Sequence, residues 1–296
     1  MAHQIDESEC RLIKGFVSPI HTSIDGSNIA NQNNSHIFTQ VINGDSFSAA
    51  YDYLLNMGFT RLNDAKSIVM FNEGNIAATI NSNKANEEII DKKTIFLSQT
   101  DKKISKSVVD VFEQRHSTRS FSPFRMSFEE FSMLMKLSFG LAKRKLLFDD
   151  VMVHTRHYGS GGGFYPVQVI LLINNISKIS PGVYKYQPHT HSIYPLNADI
   201  KAERLFEHGS FDFNNYSFAV LYKYDLNRNY IKYGELSLAI TFIEVGLMSQ
   251  MLGLACAALD YTGCQIAGYD KHYCEEQLDL DGINSHIVFS DLCGRE

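Results

Sequence analysis

The hydrophobic positions of this chain follow two rhythms, and the change from one to the other marks out its elements. Helical spacing appears in SFSAAYDYLLNMGF (46–59), where Ala49, Tyr53, Leu54 and Met57 share a face and Gly58 can end the helix. SIVMFNEGNIAATI (67–80) predicts two short strands around a turn at 72–75. Ser127 and Glu130 then form a capping-box pattern ahead of FEEFSMLMKLSFGL, whose spacing turns Phe128, Phe131, Leu134 and Leu137 inward. VQVILLIN (167–174) and SFAVLYKY (217–224) are unbroken apolar runs that suit internal strands. GVYKYQP and SIYPL (182–196) flank PHTH and predict a hairpin, and SHIVFSDL (285–292) predicts a closing strand.

The longest apolar stretch runs from Leu236 to Ala258. It has the length of a membrane span, but Glu244 and Gln250 lie inside it, and a charge at that depth in lipid is costly. The expectation is a buried core helix and no membrane. Helices and strands mix without a regular βαβ beat, so the predicted class is α+β. Two domains are expected. Residues 1–110 form an N-terminal extension with a helix-then-hairpin outline, a small α+β unit resembling a winged helix, and residues 111–296 form the main domain. A polar, Lys-rich segment (81–106) joins them. The extension reads either as a docking or peptide-gripping module or as a structural cover.

Composition narrows the partners. With 27 basic and 33 acidic side chains the net charge is −6, and residues 1–100 hold seven basic against eleven acidic groups. That balance argues against a nucleic-acid backbone as partner. MAHQIDESEC has no basic-then-apolar export pattern. The five cysteines, Cys10, Cys256, Cys264, Cys274 and Cys293, are odd in number and widely spaced. A reduced cytoplasmic setting fits, and no metal site is expected.

Three clusters carry chemistry. RHSTRSF (115–121) sets Arg115 and Arg119 four apart with Ser117 and Thr118 between, a donor set suited to a dianion. Taken alone it reads more readily as a solvated basic loop before a helix. HYGSGGGFYP (157–166) has three consecutive glycines, which let backbone approach a flat ligand and expose N–H groups. Its spacing breaks the dinucleotide fingerprint, and no Gly-Lys-Ser/Thr follows. YIKYGELS (230–237) places Lys232 beside Tyr233 at a helix entrance, and both can transfer protons if their pKa values shift.

In this order the clusters resemble the FMN-dependent thiazole/oxazole-forming dehydrogenases, the SagB/McbC type within the nitroreductase superfamily. Arg115-His-Ser-Thr-Arg119-Ser-Phe121 resembles that superfamily's R-x-S-x-R-x-F entry motif. Ser160-Gly-Gly-Gly163-Phe-Tyr-Pro166 is similar to P-S-G-G-x-x-Y/H-P, with Gly159 in place of the usual proline and Gln168 where Glu is frequent. Pro181-Gly-Val-Tyr184-x-Tyr186 resembles the family's hairpin. Lys232 and Tyr233 precede Glu244 by twelve and eleven residues, a spacing similar to the microcin-type enzymes. The resemblance spans about 111–296.

It implies a nitroreductase-like fold with FMN at the interface of an intertwined homodimer. Arg115, Ser117 and Arg119 would hold the phosphate, and Ser160, Gly161 and Gly162 would lie along the isoalloxazine. Lys232 and Tyr233 would remove the proton as peptide thiazolines or oxazolines become thiazoles or oxazoles; which of the two is the base stays open. A precursor peptide and cyclodehydratase subunits are the implied partners. The alternatives are a small-molecule NAD(P)H-dependent nitroreductase or flavin reductase, and an FMN-free scaffold.

Overall fold

The computed structural model describes Tyr53, Ile76, Thr79 and residues 87–99, 103–148, 151–206 and 215–296. The chain divides into two units, Met1–Phe59 and Thr60–Glu296. All described residues except Tyr53 belong to the second. Most of the expected N-terminal helix and hairpin lies outside the described residues. Where the expected second strand can be read, it is wrong: Ile76 and Thr79 are helical. An apolar run as short as NIAATI does not by itself distinguish strand from helix.

A seven-stranded antiparallel sheet organises the second unit. In chain order its strands are β1 (Ile95–Phe96), β4 (Val167–Ile173), β5 (Gly182–Gln187), β6 (Ser192–Pro195), β7 (Phe218–Asp225), β8 (Thr262–Ile266) and β9 (Ser285–Gly294). Their spatial order is β1-β6-β5-β4-β7-β9-β8. A separate hairpin pairs β2 (Leu141–Phe148) with β3 (Val151–Arg156). From residue 108 onward the α-helices are α1 (Val108–Gln114), α2 (Phe128–Phe139), α3 (Ala202–Leu205), α4 (Asn227–Tyr233), α5 (Leu236–Ala258) and α6 (Lys271–Gln277). The α+β expectation holds.

The continuous apolar runs are explained by cover on both faces of the sheet. Val169, Leu171 and Ile173 of β4, with Phe218, Val220 and Tyr222 of β7, meet α2 and α5 in one core. The alternate residues Ile170, Leu172, Ala219 and Leu221 meet α3 and α6 in a second. Side chains alternate faces along a strand, so both sets must be apolar when both faces are covered. The capping box is present: Ser127 Oγ accepts from the Glu130 amide, and Glu130 closes back on Ser127. Phe131 and Leu134 are fully buried, whereas Phe128 and Leu137 pack at the core's edge.

Two further expectations change. Residues 87–99 are more than a tether. Ile95 and Phe96 pair with Ile193 and Ser192, and Glu88 accepts from the amides of His189 and Thr190. Helix α5 is not buried all round. Val245, Met248 and Leu252 face the core, but Phe242, Ile243 and Leu247 are 50, 65 and 43% exposed. The helix is apolar on both sides, so composition alone cannot say which side meets the core.

Candidate functional site

The triple glycine lies between β3 and β4. Gly162 and Gly163 take φ of 61° and 70°, and Tyr165 takes 47°. Side-chain-bearing residues adopt this left-handed region only at a cost. Local bonds hold Tyr165 there: its amide donates to Ser160 Oγ at 2.8 Å, and its hydroxyl accepts from the Arg156 amide at 3.0 Å. Thr79 Oγ1 donates to the Gly162 carbonyl at 3.1 Å.

Lys232 and Tyr233 end α4, where Gly234 at φ 51° stops the helix. Both tips reach the glycine bend. A Cβ on Gly162 would lie 2.6 Å from Tyr233 Oη and 2.7 Å from Lys232 Nζ. The Phe164 ring meets Tyr233 edge to face at 6.0 Å, and Lys232 Nζ sits over the Phe164 ring at 5.4 Å. Partial burial disfavours the charged form of each. It lowers the pKa of Lys232 and raises that of Tyr233. The structure thus brings together the glycine cluster and the Lys-Tyr pair.

Behind the bend is a buried carboxylate. Glu244 of α5 is 1% exposed, and among the described residues neither of its oxygens has a partner at hydrogen-bond geometry. Burial pushes its carboxyl up to about 7, while nearby Ser160, Arg156 and the Val167 amide pull it down. The Arg156 guanidinium donates to Tyr158 Oη at 2.8 Å and lies over the Tyr165 ring at 4.8 Å.

The arginine cluster sits elsewhere. Thr118 donates its amide to the Gly263 carbonyl of β8 at 3.3 Å, and Ser117 bridges to Gly263. Arg115 packs its stem where a Cβ on Gly253 would stand 3.7 Å away. Arg115 and Ser117 line one pocket with Ser249, Cys264, Gln265 and Asp291. Arg119 is close enough to draw down the Cys264 thiol, which burial raises.

Helix α5 measures the gap between the two groups. Its Ile240 touches the bend at Gly161, and its Gly253 touches Arg115. Those positions are thirteen residues apart (253 − 240), roughly 20 Å along the axis at 1.5 Å per residue. One chain therefore does not bring Arg115 and Ser117 to Ser160, Gly161 and Gly162. The exposed stripe of Phe242, Ile243 and Leu247 belongs to the same helix.

Arg156, Ser249, Gln265 and Asp291 carry no functional signal in the sequence. None of them belongs to a local motif, and only the fold brings Ser249, Gln265 and Asp291 together. Cys256, Cys264, Cys274 and Cys293 are buried free thiols. Among the described residues no His, Cys, Asp and Glu side chains group to hold a metal.

The Nitroreductase family model matches residues 112–293. No curated protein matches the chain. Among solved structures, a protein of Ralstonia eutropha JMP134 assigned to the nitroreductases superposes with a TM-score of 0.56 at 18% identity, covering 69% of this chain and 90% of its own. A chain of the E. coli microcin synthetase McbBCD complex, with truncated pro-MccB17 bound, superposes with a TM-score of 0.53 at 19% identity. It covers 95% of this chain and 97% of its own.

Proposed function

The chain belongs to the nitroreductase family, and from that premise we propose that it is an FMN-dependent dehydrogenase that oxidises azoline rings in a precursor peptide to azoles. The observation that carries this reading is the convergence of Lys232 and Tyr233 on Gly162.

The residues fit FMN. Two guanidinium groups and a hydroxyl at 115–119 suit a phosphate dianion. The bend at Gly161 and Gly162 leaves backbone bare where a flat ring system needs close approach. FMN, when bound, supplies the hydride acceptor. Arg115, Ser117 and Arg119 would hold the phosphate, and Ser160, Gly161 and Gly162 would lie along the ring. Because these sets are far apart on one chain, a second copy completes the site, with the apolar stripe of α5 in the dimer interface. An exposed apolar stripe of this kind is what such an interface needs.

The chain's own contribution to catalysis is a proton transfer. Lys232, with its pKa lowered by burial, has a larger neutral fraction and takes the proton from the azoline α-carbon. Tyr233, with its pKa raised, keeps its proton and orients the ring by donating a hydrogen bond. A placed base is worth about 10² to 10⁴ in rate. The likeness to a chain of the McbBCD complex supports, by analogy of fold, partnership with cyclodehydratase subunits that make the azoline.

The test is turnover of an azoline-containing peptide by FMN-reconstituted protein under air without nicotinamide. Loss of two hydrogens per ring, read by mass spectrometry, is the expected result. An inert peptide alongside rapid NAD(P)H-driven reduction of nitroaromatics or quinones would overturn the reading in favour of a small-molecule reductase.

A further inference from the structure

The pocket beside Arg115 has a floor with a fixed hydrogen-bond direction. Asp291 is buried at 3% exposure. Its carboxylate accepts from Tyr222 Oη and from Ser249 Oγ at 2.8 Å. Burial raises this carboxyl to about 6, so it is ionised at neutral pH and can only accept. Ser249 must therefore spend its one proton on Asp291. What remains on Ser249 is an acceptor, and it is met by Gln265 Nε2 at 2.7 Å.

That sequence fixes which way the Gln265 amide points. The β8–β9 register sets Gln265 directly opposite Asp291. Its nitrogen turns inward to Ser249, so its carbonyl oxygen is left for the pocket that Gln265 shares with Arg115 and Ser117. Gln265 is exposed, and its hydrogen bond to a described residue is made by the nitrogen. An acceptor locked in this orientation repels phosphate oxygens and welcomes a hydroxyl.

We propose that Gln265 binds the polyol chain of the cofactor, its carbonyl oxygen accepting from a ribityl hydroxyl, and that Asp291 positions Gln265 through Ser249. This rests on the FMN reading above and deepens it. The arginine cluster takes the phosphate, and the neighbouring amide takes the hydroxyl-bearing chain.

Flavin affinity measured by fluorescence quenching tests it, with FMN and with riboflavin, which keeps the polyol and lacks the phosphate. Gln265→Ala should melt like wild type and weaken both flavins by the same factor, about 5-fold. Arg115→Ala should weaken FMN far more than riboflavin. Asp291→Asn should weaken both flavins, and the double variant with Gln265→Ala should bind no worse than Gln265→Ala alone. A general structural loss at 291 would instead add to the effect at 265. Unchanged FMN affinity in Gln265→Ala overturns the proposal, as does a loss confined to FMN. A crystal structure of FMN-loaded protein gives a second reading, and Gln265 out of reach of every cofactor hydroxyl overturns it as well. Wild-type protein that binds neither flavin refutes the cofactor reading itself, a distinct outcome.

Discussion

Lys232 Nζ lies 2.7 Å from the point where a Cβ on Gly162 would stand. The missing side chain of one residue is the working space of the other. Gly162 also holds φ at 61°, so the position demands glycine twice, once for backbone and once for room.

Gly162→Ala is therefore expected to cost about 1–2 kcal/mol through backbone conformation and to push the Lys232 and Tyr233 tips aside. Thermal melting should show a modest loss. Peptide turnover should fall much further than stability does. Turnover at wild-type level would mean that the convergence of these groups is incidental.

Lys232→Ala should retain flavin and lose about 10² to 10⁴ in turnover, with Tyr233→Phe losing less. The pH profile separates their roles. The amine works as the free base, so turnover should climb with pH through the lowered Lys232 pKa and level off above it. In Lys232→Ala that limb should vanish. Colourless variants would assign the pair a structural role.

How much of this was legible beforehand depends on how local each signal is. Ser127 and Glu130 announce the start of α2 because a capping box is complete within four residues. Val167–Ile173 is readable because a strand covered on both faces needs no polar alternation. Lys232 and Tyr233 stand out as adjacent proton-transfer groups before a glycine. Helix α5 is only half readable: an apolar Ile243 and an apolar Val245 look alike in sequence, yet one meets solvent and the other the core. The β2–β3 hairpin is not legible, because LAKRKLLF mixes a charged triplet into its apolar pattern. Ser249, Gln265 and Asp291 come from three elements, and no spacing rule links them.

Glu244 should give folding stability a pH dependence of predictable sign. Its folded carboxyl holds a proton up to about 7, against an ordinary value of 4.5. Between those values the unfolded chain has released a proton that the folded chain keeps, so stability falls as pH rises and is flat above about 7. Asp291 acts in the same direction, only up to about 6. Glu244→Gln should therefore leave melting unchanged near pH 4 and raise it at pH 8, on the order of 5 °C. An identical pH–melting curve for both proteins would place the Glu244 carboxylate in contact with a compensating charge.

The exposed stripe of α5 is the remaining test of a two-copy site. Ile243 is 65% exposed, so Ile243→Asp should cost the isolated chain little, as surface substitutions do. In a dimer with this stripe in its interface, the same change buries an unpaired carboxylate, which is strongly unfavourable. Sedimentation should then show a monomer. Arg115 and Gly162 are untouched in this variant but lie at separate stations along α5, so flavin should be lost along with the dimer. A monomeric Ile243→Asp that still binds FMN at wild-type affinity would show that one chain suffices, and the phosphate would then need a partner other than Arg115.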